Sequence, residues 1–183
     1  AGTITGLGNE AVTLNDGALA AAALNSMDSY TVGVVDASQA TTLTGAASQV
    51  LASYAANGSS TVAGLGNEAV ILSDATLSAV ELNSLDGYTE GVVNASQVTT
   101  LTGPVAEIQV AYAANAASTI VGLGNEAVLV DPSPNVSDIN IVDTATSGVI
   151  TATLSDGGMA ALNELKVHLD QDPYNNAYSI LVT

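Results

Sequence analysis

The hexapeptide Gly-Leu-Gly-Asn-Glu-Ala occurs three times in this chain, at residues 6–11, 64–69 and 122–127, and successive copies start 58 residues apart. Laid without a gap over residues 61–118, residues 3–60 match at about 34 of the 58 positions, a level of self-similarity that marks repeated supersecondary units. Tyr30 falls on Tyr88, Tyr54 on Tyr112 and Asp16 on Asp74. A third copy starts at Thr119 and holds through Val130, where Asp131-Pro132-Ser133-Pro134 interrupts it. The sequence therefore predicts three segments: 1–60, 61–118 and a divergent 119–183 that ends on an apolar strand.

Within one copy the pattern alternates. Ala69-Val70-Ile71-Leu72 is β-branched and strand-like. Ser73-Asp74 offers an N-cap to a helix carrying Leu77, Val80 and Leu85, which Asp86-Gly87 closes. Gly91-Val92-Val93 reads as the next strand. A second helix has Pro104 in its first turn and lines up Val105, Ile108 and Tyr112 on one face. In the third segment, residues 139–142, 148–154 and 178–182 read as strands, with a helix carrying Met159, Leu162 and Leu165. Each 58-residue stretch then holds two strand–helix units of about 29 residues, close to the longest leucine-rich-type period. The expected fold is an α/β solenoid of 58-residue double units, with α+β as the alternative.

The tripled loop also satisfies G-x-G-x-x-A, a form of the dinucleotide-binding fingerprint. That fingerprint must open a helix whose N-terminus faces the pyrophosphate. Here Ala11-Val12-Thr13-Leu14 follows in β style, and Glu10 would repel phosphate. The glycines are better read as positions of positive φ or of close backbone approach.

Composition narrows the partners. One Lys, Lys166, faces eighteen acidic residues, for a formal net charge of −17. Nothing resembles the basic footprint that nucleic acid or anionic lipid needs. Cys is absent, which excludes disulfides and thiolate chemistry. No apolar run approaches the length of a membrane-spanning helix. The chain starts at Ala1 and not Met, so the expectation is a processed mature protein or a segment of a longer one. His168, the single histidine, lies near Lys166, Asp170 and Asp172 and reads as a solvated helix end. With no nucleophile motif and no unique acid cluster, the sequence predicts no enzyme.

Asp-Gly turns place Asp16, Asp86 and Asp156 as weak calcium candidates, although no EF-hand loop accompanies them and capping explains them as well. The sequence assigns no other cofactor. Asn57, Asn94 and Asn135 begin N-x-S sequons. The terminal strand, with Tyr178, Ile180 and Val182, and Ile4 at the other end are candidates for head-to-tail assembly, because an unpaired apolar edge invites pairing.

"GLGNEAVTLND", "LNSLDGYT" and "VVNASQVTTLTG" resemble repeats of giant secreted surface proteins of marine cyanobacteria and related bacteria, and "SGVITATLSD" followed by "MAALNEL" resembles a second repeat type of the same proteins. The resemblance spans essentially the whole chain and carries no catalytic residues. It implies an extracellular structural repeat protein, a cell-surface or filament building block whose partner is itself or a neighbouring repeat. An adhesin or carbohydrate-binding module that contacts a surface glycan, calcium-stabilised or not, is one alternative. A phage appendage protein is another.

Overall fold

The computed structural model describes residues 8–155, 158–165 and 176–180, without the side chains of Met159, Leu162 and Ile180. In chain order the elements are β1 (Val12–Thr13), β2 (Ala18–Ala20), α1 (Ala21–Tyr30), β3 (Val35–Asp36), β4 (Thr42–Gly45), α2 (Ala47–Gly58), β5 (Val62–Ala63) and β6 (Ala69–Leu72). There follow β7 (Thr76–Ser78), α3 (Ala79–Asp86), β8 (Val93–Asn94), β9 (Thr100–Gly103), α4 (Val105–Ala117) and β10 (Ile120–Val121). The last are β11 (Ala127–Val130), α5 (Val136–Asp143), β12 (Ile150–Leu154), α6 (Met159–Leu162) and β13 (Ala177–Ile180). The chain divides into two compact units, residues 1–74 with 85–94, and residues 75–84 with 95–183.

In the first unit Val12, Val35 and Val62 pair in register across β1, β3 and β5. A second parallel ladder runs through β2, β4, β6 and β8 and aligns Leu19, Leu43, Val70 and Val93 in one buried row. Their neighbours along each strand, among them Thr42, Thr44 and Ile71, face the other way, the period-2 alternation of a strand. Helix α2 turns Ala47, Val50, Ser53 and Tyr54 inward, at the spacing that keeps one helical face together. Burying one of these aliphatic side chains stabilises by about 1.5–3 kcal/mol.

The second unit repeats the scheme with β7, β9, β11, β12 and β13, where Leu77, Leu101, Val128 and Ile150 form the buried row. Helix α4 buries Ile108, Ala111 and Tyr112. Parallel neighbours need a crossover, and the helices supply several of them.

This architecture corrects the solenoid expectation. It is a densely packed α/β fold of parallel sheets with irregular helix and strand spacing, not a train of 58-residue double units. Paired strands lie 22 residues apart at Val128 and Ile150 and 27 at Leu43 and Val70, not a uniform 29. Residues 61–118 hold five strands, β5 to β9, where two were expected. Thr76-Leu77-Ser78, read as helix, is strand β7, because it pairs beside Thr100-Leu101-Thr102 of β9. Residues 139–142, read as a strand, belong to α5, because the Asn135 side chain accepts the Asp138 N–H (2.8 Å) and starts a helix there. The strands read at 69–72 and within 148–154 are present as β6 and β12.

The functional expectations tied to the solenoid fall with it. An extracellular filament or cell-surface building block, and its adhesin and phage-appendage alternatives, presuppose an elongated repeat module. The densely packed α/β fold is instead consistent with an enzyme-like or binding-protein-like architecture. The head-to-tail partner expected at Tyr178, Ile180, Val182 and Ile4, and the glycan contact expected with it, lose the stacked ends that motivated them. The likeness to cyanobacterial surface repeats likewise finds no counterpart in the packing. No helix among the described residues is long and apolar enough to cross a membrane.

Candidate functional site

The tripled loop is built around its glutamate. In the second copy, Glu68 folds back so that one carboxylate oxygen accepts the N–H groups of Gly66 (2.8 Å) and Asn67 (3.1 Å). The other accepts the Tyr54 hydroxyl from α2. The third copy repeats this with Glu126, the N–H groups of Gly124 (2.7 Å) and Asn125 (3.1 Å), and Tyr112 from α4. Both glutamates are almost fully buried, at 1% and 2% exposure. Burial first, then the adjoining carboxylate, raises the Tyr54 and Tyr112 hydroxyls well above the ordinary tyrosine range.

A Thr-x-Gly latch closes each loop from outside. The Thr89 hydroxyl donates to the Glu68 carbonyl (2.7 Å) and accepts the Gly91 N–H (2.9 Å). Thr146 and Gly148 do the same at Glu126, and Thr31 and Gly33 at Glu10. Glycine is required at the third latch position because a Cβ on Gly91 would lie 2.3 Å from the Glu68 carbonyl oxygen. Gly64 and Gly122 have φ of 90° and 94°, and a Cβ on either would come within 2.6 Å of Ser38 or Ser96 backbone. The loops run into β6 and β11, not into helices, so the fingerprint geometry for a pyrophosphate is absent from both. Their glutamates already occupy the N–H groups that a phosphate would need.

In the first copy Glu10 is exposed. The Gly8 N–H first, then its own N–H, hold its carboxyl below the ordinary range. Asp36 is held down in the same way, by the Ser38 hydroxyl and then the Ser38 N–H.

An open groove of about 450 Å³ crosses β11, β12 and β13 in the second unit. Register creates it. Leu129 stands beside Thr151, and Thr151 beside Ala177, so one row combines an exposed leucine with a hydroxyl and a methyl. On the next row the Thr153 and Ser179 hydroxyls are hydrogen-bonded to each other (2.9 Å). Asp131 and Tyr178 also line the groove. Asp131 is the one carboxylate in this lining, and its side chain is exposed.

The residues singled out from sequence are scattered. Asp16 is exposed ahead of β2, and Asp86 is half-buried at the end of α3. No group of three or more His, Cys, Asp or Glu side chains that could hold a metal ion forms among the described residues. Ile4, Asp156, Lys166, His168, Asp170, Asp172 and Val182 lie outside the described residues, and Ile180 is described by its backbone alone. Of the sequon asparagines, Asn57 accepts the Leu65 N–H (3.2 Å) and Asn135 caps α5. Sequence reasoning missed the Glu–Tyr pairs. The signal was present as a tyrosine fourteen residues before the loop glutamate in two copies, with Thr-x-Gly twenty or twenty-one residues after it.

No protein-family model, no curated protein and no solved structure matches this chain.

Proposed function

We propose that the chain is a binding protein without catalytic activity, and that the groove over β11, β12 and β13 is its site. The observation that carries this reading is the groove's mixed lining. Leu129 and Ala177 offer apolar contact, Thr151, Thr153 and Ser179 offer hydroxyls, and Asp131 supplies one negative charge. Binding sites combine a largely apolar surface with a few placed polar groups in this way. A lining with a single carboxylate and no histidine or cysteine offers no acid–base pair and no activated nucleophile, which supports binding over chemistry. The ligand class that fits is a small molecule with an apolar body and an ammonium group. The net charge of −17 raises the local concentration of cations around the whole chain. An extracellular setting belongs to the same proposal, supported by the single Lys/Arg residue, which leaves one site for trypsin-type proteases.

Heteronuclear NMR titration with n-hexylammonium, and with n-hexanol for comparison, tests the site. Amide shifts confined to residues near Leu129, Thr151 and Ser179, stronger for the amine and weakened by Asp131→Asn, are expected. Shifts spread over the acidic surface, or none at all, would overturn the reading.

A further inference from the structure

Three ranks of outward side chains cross β11, β12 and β13 on the groove face, and their chemistry changes from one rank to the next. In the middle rank Leu129 is in register with Thr151, and Thr151 with Ala177, so it is apolar apart from one hydroxyl. Two residues further along the strands, Thr153 is in register with Ser179. Asp131 follows Val130, whose partner is Ala152, and so falls level with Thr153. That rank is polar throughout, one carboxylate and two hydroxyls hydrogen-bonded to each other (2.9 Å). Two residues back from the middle, Ala127 falls level with Val149, because Val128 is in register with Ile150. Val149 is 36% exposed and Leu129 45%, while Val128, Val130, Ile150 and Ala152 between the ranks are buried.

Polar head, apolar waist and apolar tail thus follow one another down the strands. The groove is lined by the first two ranks, and Ala127 and Val149 carry the apolar track beyond it. A strand rises about 3.3 Å per residue, which puts the waist roughly 6.6 Å and Val149 roughly 13 Å from the head rank. Tetrahedral C–C bonds of about 1.5 Å advance an extended alkyl chain by about 1.25 Å each. A six-carbon amine held at Asp131 therefore ends over Leu129 and Ala177, whereas a ten-carbon chain reaches Val149.

We infer that the ligand is a linear primary amine of about ten carbons, lying along the strands with its ammonium at Asp131, Thr153 and Ser179 and its tail on Val149. This rests on the reading of the groove as a binding site. The head rank sets the class of amine. A primary ammonium brings three N–H donors, and the rank answers with acceptors: the Asp131 carboxylate and the two hydroxyl oxygens, each of which keeps a lone pair outside their mutual bond. A quaternary ammonium has no N–H to give them. A fatty acid would bring its own carboxylate to Asp131 and to a chain of net charge −17. Val149 then sets the preferred length, because each further methylene laid over it leaves water.

The probes are n-hexylammonium, n-decylammonium and n-decyltrimethylammonium, each titrated into the ¹⁵N-labelled chain below its micelle-forming concentration. Decylammonium is expected to shift the groove amides that hexylammonium shifts, together with those of residues 127 and 148–150. Four more methylenes, about half shielded on an open face, should tighten its binding roughly tenfold over hexylammonium. Decyltrimethylammonium should bind roughly tenfold or more weakly than decylammonium, for want of hydrogen bonds to a charged group. Val149→Thr keeps the branched shape, exchanges a methyl for a hydroxyl, and should narrow the gap between decyl and hexyl. Equal affinity of the two primary amines in the groove, or decylammonium shifts that stop at Leu129, would overturn the inference and leave the binding site standing. Equal binding of the quaternary amine would overturn it too. Shifts spread over the acidic surface with every probe, or no shifts at all, would overturn the inference and the binding site together.

Discussion

The Tyr112 hydroxyl donates to the buried Glu126 carboxylate, and this contact ties α4 to the loop that enters β11. Removing the hydroxyl leaves one Glu126 oxygen buried without that donor, while the other keeps the Gly124 and Asn125 N–H groups. Tyr112→Phe is expected to cost about 1.5–3 kcal/mol, the range for a hydrogen bond to a charged group. Tyr88→Phe, on a ring already half exposed, should change stability by less than about 0.5 kcal/mol. Urea unfolding of the two variants side by side measures the difference.

The same pairs are expected to make stability fall at alkaline pH. Burial and the neighbouring carboxylates raise the folded-state pKa of Tyr54 and Tyr112, whereas in the unfolded chain both ionise near the ordinary value of about 10. A raised folded pKa means the stabilisation is complete below about pH 10 and is lost as pH rises beyond it. Stability should therefore decline with pH above about 10, and tyrosinate absorbance should show Tyr54 and Tyr112 ionising only as the chain unfolds. Removing both hydroxyls in a Tyr54→Phe/Tyr112→Phe variant should flatten that decline, even though the variant is less stable at neutral pH.

Asp74 illustrates a role that local reading assigns to the wrong helix. Its carboxylate accepts the Ala47 N–H (2.8 Å) at the start of α2, where the N-cap residue Ala46 offers no side-chain acceptor. A carboxylate at this end satisfies a free donor and complements the positive end of the helix dipole. Asp74→Ala should destabilise by about 1 kcal/mol and speed hydrogen exchange in the first turn of α2. Asp16→Ala, at the equivalent but exposed position, should do neither. Both effects are readable in one exchange experiment on each variant.

Segments whose structure is fixed by neighbouring residues were legible in the sequence. The run Ala69-Val70-Ile71-Leu72 forms β6, and the glycines expected at positive φ have it at Gly64, Gly66, Gly122 and Gly124. Of the helical face read as Val105, Ile108 and Tyr112, the last two are buried and Val105 is half-buried. Segments fixed by distant partners were not legible. Thr76-Leu77-Ser78 is a strand only because β9 lies beside it, and no three-residue pattern announces that. The groove depends on the offset between β11, β12 and β13, which pairs Leu129 with Thr151 and Thr151 with Ala177, a relationship spanning about fifty residues. Periodicity in sequence showed which segments are equivalent, and it carried no information on how many strands each contributes or which sheet receives them. The tyrosine partner of the loop glutamate was not legible for a related reason. An acid in a glycine-rich loop reads as unfavourable to phosphate, and nothing local to it announces the tyrosine, fourteen residues earlier, that donates to its buried carboxylate.

Two glycines with opposite surroundings provide the sharpest check on the latch. A Cβ at Gly148 would sit 1.9 Å from the Glu126 carbonyl oxygen and 2.4 Å from its carbon, both backbone atoms held in place by the latch and by β11. The loop cannot retreat without breaking the Thr146–Glu126 and Gly148–Thr146 bonds (3.1 and 2.9 Å). Gly148→Ala should therefore cost at least the roughly 1–3 kcal/mol typical of overpacked sites, with exchange protection lost first around residues 124–128. Gly58 ends α2 with open space around it, and the equivalent position of α4 is Ala116. Gly58→Ala should stabilise by about 0.5–1 kcal/mol, because alanine loses less conformational freedom in a helix. Chemical denaturation of both variants decides the matter, since equal and small effects would mean that the Thr-x-Gly segment does not hold the loop closed.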